Sequence, residues 1–216
     1  MNIERAALIV IDMENAFLAE ESPLCIKQAR ATVPACGEVI LRARELKIPV
    51  FFVNRIYRKN GSDVEFTRYD SWNNGGRYLA PNSTGMLSIE VPEEFEPQEG
   101  DYTITKPRFS AFFGTELDLI LRRLRVDTVI LTGTTTPNCI RTTCYDGISL
   151  EYNVVVIEDC CSSNTEEIQR VNMEDMERAG AQVMQSHMFL TDGISGMQNK
   201  AKEVSAKVIE DNAPPE

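Results

Sequence analysis

Histidine is nearly absent from this chain: His187 is the only one in 216 residues, and no Cys-x-x-Cys pair occurs among the six cysteines. A zinc site of cysteine and histidine, and a thioredoxin-like dithiol, therefore lack their usual parts. Positive charge is also scarce, with 22 Lys and Arg against 33 Asp and Glu and a formal net charge of -11. Nucleic acids and anionic membranes both demand a basic surface that meets phosphates and releases counterions, so neither is an expected partner. No apolar run approaches the roughly 18 residues of a membrane span. The start, MNIERAALIVID, has no apolar stretch followed by a small-residue cleavage site. A cytoplasmic location and reduced thiols are the resulting expectations. No internal repeat or low-complexity segment appears.

What is present is the material of a sizeable core. Apolar residues make up 43% and charged ones 25%, which excludes wholesale disorder. Short β-branched runs recur at 6–11 (AALIVI), 49–53 (PVFFV), 102–105 (YTIT), 128–131 (TVIL) and 154–157 (VVVI), with a sixth expected inside AQVMQSHMF. They are continuous rather than alternating, as strands covered on both faces are. Helical stripes lie between them: Val39, Ile40, Ala43 and Leu46, with Pro34 as a first-turn residue, and Leu117, Ile120, Leu121 and Leu124. Ser163 followed by Glu166 reads as a capping box for a third helix carrying Ile168, Val171, Met176 and Ala179. Alternating strand and helix predicts a three-layer α/β/α fold around a six-stranded, mostly parallel sheet with right-handed crossovers.

The expected organisation is one domain over residues 1–198, then a C-terminal helix and tail over 199–216 in which DNAPPE frays. Residues 56–100 are polar and rich in Gly, Asn and Pro. So long a connection between two strands reads as an insert forming a substrate lid or pocket wall.

Ligands of open parallel sheets bind beyond the carboxyl ends of the strands. Asp12 ends the first strand, Lys106 the third, and Cys139 follows the fourth in GTTTPNCIRTTCYDG. Alone, each has an ordinary reading: a turn aspartate, a solvated lysine, a buried inert thiol. Together they suit thiol chemistry, with Lys106 and a helix start lowering the thiol, Asp12 taking its proton, and backbone N–H groups of the TTTPN turn receiving an oxyanion. The segment from Arg55 to Tyr78 adds Tyr57, Arg58, Arg68, Trp72 and Arg77, a set suited to a carboxylate or ureido group. Pairing of these arginines with Asp63, Glu65 and Asp70 is the competing reading. Cys144, Cys160 and Cys161 read as core packing residues, and His187 as structural. A thiol oxidoreductase using Cys139 with Cys144 or the Cys160 and Cys161 pair, and a non-catalytic binding protein, stay open.

Three ordered stretches, ALIVIDMENAFL, ITKPRFSAFFGTELDLILRRLRVDTVILTG and GTTTPNCIRTTCYDG, resemble the isochorismatase-like cysteine hydrolases over nearly all of residues 5 to 190. The resemblance implies a catalytic triad of Asp12, Lys106 and Cys139. It further implies a cis peptide between Thr134 and Thr135, and an oxyanion hole from the N–H groups of Thr135 and Cys139. Phe17, Arg55, Trp72, Tyr78 and Thr136 become candidate substrate contacts. The Asp-x-His-x-x-His metal site of nicotinamidases has no counterpart in VNRIYRKNG, so no metal and no cofactor is expected. A cysteine nucleophile favours C–N hydrolysis over the vinyl-ether cleavage of isochorismatase proper, and a small-molecule substrate and a homodimer or homotetramer are implied.

Overall fold

Continuous apolar runs need cover on both faces, and the computed structural model, which describes residues 5–213, supplies it with two helical layers. Residues 1–4 and 214–216, the end of the expected tail, lie outside the described residues. Six strands form the sheet: β1 (Ala6–Ile11), β2 (Val50–Arg55), β3 (Tyr102–Lys106), β4 (Thr128–Thr134), β5 (Asn153–Ser162) and β6 (Gln182–Met184), in the order β3-β2-β1-β4-β5-β6. Every adjacent pair is parallel.

Successive side chains of a strand point to opposite faces, so β1 feeds both halves of the core. Leu8 and Val10 join Val33, Cys36, Val39 and Ile40 of α2 (Ala29–Glu45) and Phe189 of α7 (Ser186–Asp192). Ala7, Ile9 and Ile11 join Leu117 and Leu121 of α4 (Leu117–Arg123), Cys144 of α5 (Arg141–Ser149), and Met173 and Met176 of α6 (Glu166–Ala179). Right-handed crossovers require this division, because the chain steps one way from β1 to β3 and the other way from β4 to β6. The reversal falls between β1 and β4, which opens a crevice beyond their carboxyl ends.

Local readings of the sequence needed correction in four places. Helix α2 starts at Ala29, five residues before Pro34, which lies on its exposed face. Burial of Ala29 and Val33 in the α2 layer extends the helix past a residue that removes one backbone bond. The cap of α6 is Thr165, whose Oγ1 accepts from Ile168 N–H at 3.2 Å; Ser163 instead donates to Thr165 O at 2.7 Å. Strand β5 runs on through Cys160 and Cys161 rather than ending before them, because the two thiols fill opposite core layers. His187 is exposed on α7 and does not pack in the core.

The 56–100 segment carries the short helix α3 (Tyr69–Asn74) and a core of its own, in which Trp72, Tyr57, Tyr78 and Leu79 pack with Ala16 of α1 (Asn15–Leu18). Helix α8 (Lys200–Asp211) follows the sheet and buries none of its residues.

Candidate active site

Two backbone features bring the strand ends together. Asp12 leaves β1 with φ 52, and Gly133, at the end of β4, has φ 113. A Cβ on Gly133 would stand 2.0 Å from Ile11 O, so only glycine lets β4 approach β1 there. After β4 the chain makes a π-helical turn over Thr136–Ile140 before α5, and the Thr134–Thr135 peptide is cis. The turn is fastened by Asn138 and Ile140 N–H, which both donate to Thr135 O at 3.0 and 3.3 Å. The threonine hydroxyls are spent on β5: Thr135 and Thr136 Oγ1 donate to Ser162 O at 3.1 and 3.0 Å, and Ser162 Oγ donates to Thr134 Oγ1 at 2.9 Å.

This frame places Lys106 Nζ 2.7 Å from Asp12 Oδ2 and 3.5 Å from Cys139 Sγ, with a third bond of 3.1 Å to Arg108 O. Asp12 and Lys106 are wholly buried and Cys139 is 4% exposed. Asp12 Oδ1 is buried without a donor, free to receive a proton. Burial pulls the Lys106 ammonium down, but the charges of Asp12 and Cys139 outweigh it and the net direction is up. The lysine stays protonated.

The Cys139 thiol corrects the sequence reading. Burial first, and then the Asp12 carboxylate, push it up to about 11, against the downward pull of Lys106 and Arg55. Lys106 does not win because Asp12 already neutralises it at 2.7 Å. The resting thiol is protonated, so an attack by sulfur must hand its proton to a base as it proceeds.

Cys139 lines a cleft of about 220 Å³ together with Thr135, Asn138, Phe109, Phe17, Arg55, Tyr57, Arg68 and Tyr78. Of the candidate contacts, Phe17, Arg55 and Tyr78 line this cleft, whereas Trp72 and Thr136 do not. Trp72 is fully buried and donates Nε1–H to Tyr78 O at 2.8 Å, supporting the wall from behind. Thr136 is fully buried and committed to Ser162.

The arginines divide. Arg55 is ion-paired with Glu65 and donates to Tyr57 Oη at 2.9 Å, while Arg58 lies 3.8 Å from Asp63 and Arg77 donates to Asn73. For Arg55 and Arg58 the pairing reading holds, whereas Arg77 meets an amide oxygen and none of the three expected carboxylates. Arg68 is half-buried, lies 5.0 Å over the Phe109 ring, and has no carboxylate partner among the described residues. Phe109 and Asn138 were missed as cleft residues, although both stand inside quoted motifs; nothing in their residue types distinguishes a cleft wall from a core. Among the described residues no group of three or more His, Cys, Asp and Glu is placed to hold a metal ion.

A buried Asp, Lys and Cys thus meet beyond the carboxyl ends of a parallel α/β sheet, at the strand-order reversal where such sheets bind their ligands. The isochorismatase domain profile matches residues 6–188, and the chain belongs to the isochorismatase family. It is 36% identical over 183 residues, covering 84% of this chain and 92% of the other, to an Arabidopsis thaliana protein described as a probable inactive nicotinamidase. It is 33% identical to the ureidoacrylate amidohydrolase RutB of Yersinia enterocolitica, over 71% of this chain and 74% of the relative. An isochorismatase family protein from Desulfovibrio vulgaris superposes with a TM-score of 0.81 at 37% identity, over 85% of this chain and 95% of that one.

Proposed function

We propose that the protein is a cysteine-dependent amidohydrolase that cleaves a linear amide or ureido C–N bond of a small polar molecule through a thioester. The observation that carries this reading is the buried cluster of Asp12, Lys106 and Cys139 at one end of the cleft, with Asp12 Oδ1 unpartnered. The Cys139 sulfur attacks the substrate carbonyl as its proton passes to Asp12 Oδ1, and the carbonyl π electrons move onto oxygen. Backbone N–H groups of Thr135 and Cys139 are the proposed oxyanion donors. Collapse breaks the C–N bond, Asp12 returns the proton to the leaving nitrogen, and a thioester remains. Water, deprotonated by Asp12, then attacks the thioester and restores the thiol. Lys106 keeps its charge throughout and holds Asp12 in place.

Arg68 supports a finer reading, in which the substrate bears a carboxylate. It is the cleft cation with no carboxylate partner among the described residues, none of the described Asp or Glu residues lines the cleft, and the RutB relative is named for a ureido acid.

The test is ammonia release from a panel of ureido acids and primary amides, with intact-protein mass measurement of any acyl adduct. Wild type should release ammonia and carry the adduct on Cys139. Cys139→Ala should lose at least about 1,000-fold in rate, in line with removal of a nucleophile that works as part of a unit. Equal turnover by both proteins overturns the assignment of the nucleophile. No turnover and no adduct with any member of the panel, from a folded wild-type protein, would favour a non-catalytic role.

A further inference from the structure

One buried acid beside the triad has no place in this mechanism. Glu14, two residues beyond Asp12, is 0% exposed, and neither carboxyl oxygen completes a hydrogen bond of ordinary geometry. It stands at the N-cap of α1, where its backbone carbonyl accepts from Phe17 and Leu18 N–H at 2.9 and 3.2 Å, yet its side chain makes no capping bond. The neighbouring cations are all taken. Lys106 bonds to Asp12, Arg108 O and Cys139, and Arg55 to Glu65 and Tyr57. The 85–90 segment that packs on α1 brings Glu90, whose carboxylate accepts from Ser88, and no positive charge.

An ionised carboxylate cannot persist in such a place. Full burial beside a second carboxylate, with each nearby cation already engaged, costs more than binding a proton does. We propose that Glu14 carries its proton in the resting protein and is a positioning residue, keeping Asp12 the single anion beside the Cys139 thiol. Its catalytic meaning rests on the cysteine-hydrolase reading; its protonation does not. Burial, and next the charge of Asp12, hold the Glu14 carboxyl well above the ordinary carboxylate range, with Lys106 and two backbone N–H groups pulling the other way. Were Glu14 to ionise, a second anion would compete for Lys106 and push the thiol further up. Glutamine has the shape and neutrality of the protonated acid, so Glu14→Gln separates charge from packing.

Two measurements on the full chain test this without any substrate. First, thermal midpoints of wild type and E14Q are compared from about pH 5 to about pH 8, above the unperturbed carboxylate value near 4.3. Throughout this range the unfolded state has already released the Glu14 proton while the folded state keeps it. Wild type should therefore lose stability relative to E14Q as pH rises; parallel midpoints overturn the proposal. Second, alkylation of Cys139 by iodoacetamide is followed by mass from neutral pH up to about 11, where the thiol ionises. E14Q should keep pace with wild type at neutral pH and never fall behind it at alkaline pH, where any ionisation of Glu14 slows the wild type alone. An E14Q thiol that is already about threefold faster at neutral pH would mean that Glu14 is ionised there, half a pKa unit of thiol shift. An E14Q thiol that is slower than wild type at alkaline pH would mean that a Glu14 charge does not raise the thiol. Either result overturns the proposal, and both are readable even if no amide or ureido substrate is ever turned over.

Discussion

At the scale of single residues, burial decides more than residue type. Cys139 and Cys144 stand five positions apart, yet Cys139 opens onto the cleft beside Lys106 while Cys144 is sealed among Ala7, Phe112 and Met173. Arg55 and Arg68 both line the cleft, but Arg55 is buried and paired with Glu65 whereas Arg68 is half-buried with no carboxylate partner among the described residues. Arg68→Gln should raise KM for carboxylate-bearing ureido substrates roughly tenfold to thirtyfold, the loss of one charge-assisted contact at a half-exposed site. Neutral amides should shift by less than about twofold in the same steady-state assay, because they lack the group that Arg68 would hold. A uniform rise across both classes would move Arg68 from substrate contact to wall. The same lesson holds for Glu14, a charged residue type that is 0% exposed beside Asp12.

At the scale of elements, the site depends on how closely two strands end beside each other. Ile11 pairs with Gly133 in the β1 to β4 ladder, and Asp12 is the next residue. Gly133→Ala forces a methyl group to 2.0 Å from Ile11 O at a φ of 113. The expected cost is at least about 4 kcal/mol, the range of severe strain and overpacking. Thermal unfolding should show it as a large drop in midpoint, with faster alkylation of Cys139 as the crevice loosens. An unaltered midpoint would mean that β4 can shift away from β1 freely. The threonine-rich turn gives the complementary case. Its hydroxyls tie the loop to Ser162, so its backbone is what remains to face the cleft.

At the scale of the whole molecule, buried thiols make stability depend on alkaline pH. Burial pushes Cys144 up to about 12; burial and then Asp12 push Cys139 up to about 11. Cys160 is also raised, by its bond with Cys36 and then burial, and Cys161 by burial and then Cys36. A raised folded value means that the unfolded chain ionises first, at the ordinary thiol value of about 8.5. Stability from these groups is therefore complete below that pH and lost as pH rises towards the folded values, by up to about 1.4 kcal/mol per pH unit for each thiol. Urea unfolding at a series of pH values should show this decline beginning near pH 8.5. Cys144→Ala should make it less steep by one thiol, and an unchanged slope would contradict the assigned burial of Cys144.

Much of this was legible in the sequence alone. Strand-end positions and continuous β-branched runs determined the parallel α/β layering and named Asp12, Lys106 and Cys139 before any coordinates, because a strand's covalent order dictates which residue leaves its carboxyl end. Periodicity is local, so it carried that information. The start of α2, the cap of α6, the extent of β5, the roles of Trp72 and Thr136, and the direction in which the Cys139 thiol is shifted were decided only by tertiary structure. Each depends on distant neighbours: the core that draws Ala29 into a helix, Ser162 holding Thr136, and Asp12 claiming the charge of Lys106 before Cys139 can use it. Desolvation and pairing are sums over all surrounding groups, and those groups come from chain positions as far apart as 12, 106 and 139.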